Sequence, residues 1–233
     1  MTDVVLPLLI AVPILAAVAP LLLSLRTSET GWYVAAVATA IEAGLAAVVL
    51  SAVYDGARLV HAVGGYPAPY GIELVGDGLS APVVALIAVV SVGVVAFAYT
   101  GGPRRNSFYS AFLLLVGGLM GVSVTGDLFN MFVFLEITGL ATYALVAADR
   151  SDRSAVAALK YLILGTMGAS FFIIGVGYAF ISTGTLNMVD LSSRLAGQYT
   201  ARPVLASFAF IVVGLGLKAA LFPLHTWQPD AYT

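Results

Sequence analysis

Seven long apolar runs constrain this chain more than any other feature: Val4–Leu25, Trp32–Tyr54, Leu79–Tyr99, Phe108–Thr125, Leu128–Ala148, Ala155–Ile181 and Val204–Pro223. The hydrocarbon core of a bilayer is about 30 Å thick, which about 20 helical residues cross. Each run is of that order, and most are separated by short polar stretches. Soluble domains carry about 25% charged residues, whereas this chain has 9%, with 61% hydrophobic. The pattern predicts an all-α integral membrane protein of about seven transmembrane helices. A transmembrane barrel is excluded, because its strands alternate in polarity over about ten residues.

Other classes fall away on composition. The net charge is −2 and spread over loops, which gives no reason to expect nucleic acid as a partner. There is no cysteine, so this chain offers no thiolate ligand for an iron–sulfur cluster or a structural zinc. The two histidines, His61 and His225, fall on opposite sides of the membrane in this topology, which argues against a two-histidine haem or metal site. The expectation is therefore no bound cofactor, no metal and no redox centre in this chain. The start, Met1-Thr2-Asp3, lacks the basic region of a signal peptide, so the first run is expected to be a permanent helix.

Loop arginines set the expected orientation. One side collects Arg26, Arg104, Arg105, Arg150 and Arg153, and the other Arg58, Arg194 and Arg202. The richer side is expected to be cytoplasmic, with the N-terminus outside and the C-terminus inside a cell membrane. Trp32, Tyr33, Tyr54, Tyr99, Phe108, Tyr109 and Trp227 lie near run ends, as interfacial aromatics do. The stretch 55–78, rich in Gly and Pro, is expected to form a compact external cap. A polar external loop is expected from Gly184 to Pro203.

Charges inside the runs carry the functional argument, because an intramembrane charge is costly and normally has a partner or faces water. Lys218 lies about 22 Å along the seventh run, counted from Pro203 at about 1.5 Å per residue. Pro223 then removes a backbone donor, so a broken helix is expected beyond the lysine. Glu136 lies nine residues after Asp127, about 13.5 Å deep and on the opposite helix face. Asp127 has an ordinary role as a helix N-terminal residue; Glu136 has none. Burial disfavours its charge and a nearby lysine favours it, a tension suited to proton exchange. The prediction is that Glu136 and Lys218 come close enough for a direct or water-bridged contact.

Lys160 lies about two turns into the sixth run. For either lysine the alternative is snorkelling to the interface. Glu42, among Thr39, Ala40, Ala43 and Gly44, is expected to face the bundle or a partner as a structural hydrogen-bonding group, with protonation as the alternative. Gly117 and Gly121, and the patch of Gly165, Gly168, Ala169 and Ser170, are spaced for close helix contact. Glu136, Lys160 and Lys218 on three different runs suggest a proton relay, with His225, Asp230 and Glu42 as accessory candidates.

These residues resemble the antiporter-like membrane subunit family. It includes the larger subunits of Mrp-type sodium/proton antiporters, the proton-pumping membrane subunits of respiratory complex I, and relatives in membrane-bound hydrogenases. The resembling segments are 127–139, 159–170, 184–191 and 216–232. The last reads Lys-x-x-x-Phe-Pro-x-His-x-Trp-x-Pro-Asp-Ala and is the most specific; Gly-Thr-Leu-Asn-Met before Asp190 looks most like the D-type subunit of the Mrp-type antiporter. By that resemblance Glu136 matches the family's fifth-helix glutamate and Lys218 its seventh-helix lysine, while Lys160 matches a lysine of some members. The resemblance implies the N-terminal half of a fourteen-helix fold containing two inverted five-helix repeats. It divides the chain into a three-helix segment, 1–106, and an incomplete first repeat, 107–233. It further implies a fragment or a split gene product, with another chain supplying helices eight to fourteen and stable accumulation only alongside it.

Three functions are consistent with these residues. The first is a subunit of a multisubunit Na+/proton antiporter, working with other membrane subunits on protons and Na+. The second is a proton-pumping subunit of an NADH:quinone oxidoreductase or a hydrogenase. The third is a membrane scaffold whose charges are inert.

Overall fold

A computed structural model describes residues 4–27, 29–103, 105–149 and 151–232. Residues 1–3, read above as the start of the chain, and Arg104 and Arg150, which entered the orientation count, lie outside the described residues. Helices dominate: α1 (Val5–Leu23), α2 (Gly31–Tyr54), α3 (Ser80–Gly101), α4 (Asn106–Val124), α5 (Leu128–Val146), α6 (Asp152–Thr183), α7 (Met188–Leu195), α8 (Arg202–Lys218) and α9 (Gln228–Tyr232). Six of these, α1 to α6, are long and apolar enough to cross a membrane, and α8 is a seventh, shorter apolar helix of 17 residues. The protein is a multi-pass membrane protein with a broken seventh helix.

Two features differ from the sequence-based expectation. The 55–78 stretch contains two four-residue strands, β1 (Leu59–Ala62) and β2 (Glu73–Gly76), paired as a small sheet. The polar 184–203 loop contains helix α7, which starts where Asn187 Oδ1 accepts from the Val189 and Asp190 amides at 3.1 Å. Those are orphan donors of a helix's first turn, and a capping side chain is what lets so polar a segment become helical. Arg194 bonds Asp190 one turn on, and that hydrogen bond holds the Asp190 carboxyl below the usual aspartate range.

By its contacts the chain forms two units. The first comprises Met1–His61 and Leu74–Thr125, the second Ala62–Glu73 and Gly126–Thr233. In the first, α2 packs against α1, α3 and α4, and α4 also lies against α1. Gly117 makes the α1–α4 approach possible: a Cβ there would lie 2.7 Å from Ile14 Cγ1. Tyr33, Tyr54 and Tyr99 are exposed near helix ends, as an interfacial belt requires. Tyr109 is not part of that belt. It is buried, with its hydroxyl donating to Pro103 O at 2.8 Å.

In the second unit α6 packs closely on α8 and also contacts α5, α7 and α9. The start of α5 is fixed at one end of this unit. Asp127 caps it by accepting from the Asn130 amide at 2.8 Å, the role the sequence suggested. Residues Gly126 and Leu128 exchange backbone hydrogen bonds with Met188 and Leu186. Asn187 Nδ2 adds a 2.8 Å bond to Glu73, whose carbonyl receives the Gly126 amide. One asparagine thus caps α7 and ties the 62–73 segment to the root of α5. Asn187→Ala removes all of its side-chain bonds, and we expect a loss of about 1–2 kcal/mol in chemical unfolding of the purified protein. Asn187→Asp, which keeps the cap oxygen, recovers part of it.

Candidate functional site

An apolar helix that carries one charge must place it where a counter-charge or a polar group waits. In the second unit α5, with Glu136, and α8, with Lys218 in its last turn, solve the problem for each other. Lys218 Nζ of α8 lies 2.6 Å from Glu136 Oε1 of α5 and donates a second bond of 3.1 Å to Leu135 O. The side chains are 13% and 29% exposed in the chain. Lys218 therefore does not snorkel; its ammonium is bound inside the unit.

The helix break differs from the expectation. α8 ends at Lys218 itself, not beyond it at Pro223. Ala220 takes a left-handed backbone conformation, φ 52°, and the Leu221 amide turns back to Gly216 O at 2.9 Å. That geometry closes helices, and it is one an alanine adopts at a cost. Lys218 consequently sits in the last turn, where the helix dipole favours a cation. After the break, Trp227 Nε1 returns to bond Leu217 O at 2.9 Å. Trp227 is buried and stacks on Tyr161 of α6, with centroids 3.9 Å apart, so it does not belong to the interfacial belt.

The fold-back also supplies Lys160 with a partner. Its Nζ lies 2.6 Å from Asp230 Oδ2, with side chains 55% and 44% exposed. The Lys160 ammonium, by hydrogen bond and by charge, holds the Asp230 carboxyl below the usual aspartate range. The stabilisation that this lowered carboxyl brings is present at neutral pH and is lost as falling pH protonates Asp230. His225 lies in the same returning segment, its ring 5.6 Å from that of Phe222. Glu42 is in the other unit, on α2.

Tyr143 is a residue that the charge pattern missed. Its ring meets Tyr161 edge-on at 4.7 Å. A Cβ on Gly139 would lie 3.0 Å from the Tyr143 hydroxyl and 3.5 Å from Lys218 Nζ, so the two polar groups border one Cβ-sized space. A Cβ on Gly165 would lie 1.9 Å from the same hydroxyl, which explains why α6 has glycine there. The signal was available: Tyr143 follows Glu136 by seven residues, two turns along one helix face. The arrangement joins an ion pair, a phenol and a second, outer ion pair on α5, α6 and α8–α9. Such groups can hold and pass protons.

Comparison with known proteins points the same way. A family model described as NADH:quinone oxidoreductase/Mrp antiporter, transmembrane, matches residues 125–233. The chain is 45% identical to the N-type subunit of the NADH-quinone oxidoreductase of Desulforudis audaxviator, over 97% of this chain and 46% of that protein. It is 32% identical to the D-type subunit of the Na(+)/H(+) antiporter of Bacillus subtilis, over 98% of this chain and 46% of that protein. Among solved structures it resembles a chain of the membrane-bound sulfane sulfur reductase, an archaeal respiratory membrane complex. There the TM-score is 0.90 at 37% identity, covering 98% of this chain and 47% of that one. The chain spans about half the length of the curated relatives it matches.

Proposed function

Because the chain belongs to the antiporter-like membrane subunit family, we propose that it is a membrane subunit of a multisubunit monovalent cation (Na+)/proton antiporter. The observation that carries this reading is the 2.6 Å Glu136–Lys218 pair between the apolar helices α5 and α8. A carboxylate and an ammonium held together in a poorly hydrated place stabilise each other's charge. Moving a proton onto Glu136 weakens its hold on Lys218, and removing it restores the pair. Each transfer thereby changes the charge that the next group along the path meets. Tyr143 lies beside the ammonium, and Lys160 with Asp230 forms the more exposed end of the relay, with His225 in the same returning segment. Residues 1–106 serve as a membrane segment and residues 107–233 as the first repeat; the N-terminus lies outside and the C-terminus in the cytoplasm. Partners are other membrane subunits of the complex. The remaining helices of the family fold correspond to the half of the relatives outside this sequence.

A second reading has its own support. The 45% identity to a quinone oxidoreductase subunit and the likeness to a respiratory complex favour a proton-pumping subunit driven by electron transfer elsewhere in the complex. Reconstituting the assembled complex in liposomes separates the two. An imposed pH gradient should drive Na+ uptake without any reductant. Proton movement that needs an electron donor and quinone would replace the antiporter reading with the second. No proton movement under either condition would remove both.

A further inference from the structure

The first unit carries a carboxyl deep in its interior. Glu42 is the twelfth residue of the 24-residue α2 and is 0% exposed. It belongs to the buried stripe Ala35, Ala38, Thr39, Glu42, Ala46 and Val49 that faces the neighbouring helices. Neither carboxyl oxygen has a hydrogen-bond partner among the described residues, so the structural hydrogen bond expected from the sequence is not formed.

The groups that could answer a negative charge can be named element by element. Helix α1 has no titratable or charged residue; α3 has Tyr99 and α4 has Tyr109. Both tyrosines stand near the start of α2. Tyr99 packs on Trp32, with centroids 5.0 Å apart, and Tyr109 lies beside Gly31. That end is about 15 Å of helix away from Glu42. On α2 itself, Tyr33 and Tyr54 lie near its ends. The buried hydroxyls of Thr39, Ser91 and Ser110 donate to the carbonyls of Ala35, Ile87 and Ala17. The Trp32 indole donates to Val95 O. Complete burial within this chain also leaves a neighbouring subunit no surface through which to bring a cation. A carboxylate here would lack every compensation that buried charges need, whereas the acid form is neutral.

We propose that Glu42 is a second proton-binding group, carried as a neutral carboxylic acid inside the α1–α4 unit. This does not rest on the transport reading; it sets two glutamates of one chain in contrast, one half-buried and paired with an ammonium, the other fully buried and holding its own proton.

Infrared difference spectroscopy of the purified complex at neutral pH tests it. Wild type should show a carboxylic-acid C=O band that exchanges slowly in deuterated water. The band should vanish completely in Glu42→Gln and persist in Glu136→Gln. Isotope labelling of the glutamate carboxyl carbons in wild type should shift the same band, a measurement that needs no variant to fold. An unlabelled position for that band, its survival in Glu42→Gln, or loss of a carboxylate band in its place would each overturn the proposal.

Discussion

Glu136→Gln should lower proton movement by the assembled complex about a hundredfold, in line with the loss of an acid–base group. The amide keeps the shape of the carboxyl and still accepts a hydrogen bond from Lys218, but it can neither ionise nor take a proton. The same substitution strands the Lys218 ammonium without a counter-charge, leaving it neutral acceptors such as Leu135 O. Breaking a fully buried pair costs about 3–5 kcal/mol. With 29% of the Glu136 side chain exposed, we expect roughly half of that. Loss of transport by the single variant could therefore be blamed on folding. The double variant Glu136→Gln with Lys218→Met removes both charges and should recover most of the stability, because no lone charge remains. It should recover none of the transport. Stability and proton flux are thereby read apart, by thermal unfolding and by a pH-sensitive dye in vesicles. Wild-type flux in Glu136→Gln would end the role assigned to this carboxyl.

How much of this was legible in the sequence depends on what each residue needed for its position to be known. Glu136 and Lys218 stood out because a charge amid apolar residues is locally anomalous, and each required the other. Asp127 was legible as a cap because a cap bonds within its own first turn. Lys160 was recognised as a charge, but its partner lies 70 residues on, in a segment that reaches it only by folding back after α8. The end of α8 was placed too late, at Pro223. Proline announces itself in a sequence, while an alanine in a left-handed conformation does not. Helix α7 was read as loop because its residues are polar, and Asn187 makes it a helix by capping. Trp227 looked interfacial from its distance to the run's end, yet the break turns it inward onto Tyr161. Glu42 was expected to make a structural hydrogen bond, with protonation as the alternative, and only the packing of four helices shows that its carboxyl has no partner among the described residues. For Lys160, Trp227 and Glu42 the missing information was tertiary: which segment returns, and onto what.

The same dependence on packing makes Gly214 a position where one methyl group should disturb the pair from a distance. A Cβ there would lie 2.6 Å from the Phe172 amide nitrogen and 2.7 Å from Gly168 O, both backbone atoms of α6. Side chains can rotate away from an intruder, but two helix backbones can only separate. The approach is tight along the whole contact. A Cβ on Gly175 would lie 2.8 Å from Ser207 O, and the Ser207 hydroxyl already bonds Gly175 O at 2.7 Å. Overpacking of this kind costs about 1–3 kcal/mol, more than the gain from alanine's better helix propensity of about 1 kcal/mol. Lys218 follows Gly214 by one turn on the same face, about 6 Å along the axis. A shift of α8 away from α6 therefore moves the ammonium relative to Glu136, and flux should fall with stability. Gly44 is the control, because a Cβ there meets nothing within 4 Å. Gly44→Ala should raise the unfolding midpoint slightly and leave flux unchanged, whereas Gly214→Ala should lower both. Equal behaviour of the two variants would show that the α6–α8 approach does not position the pair.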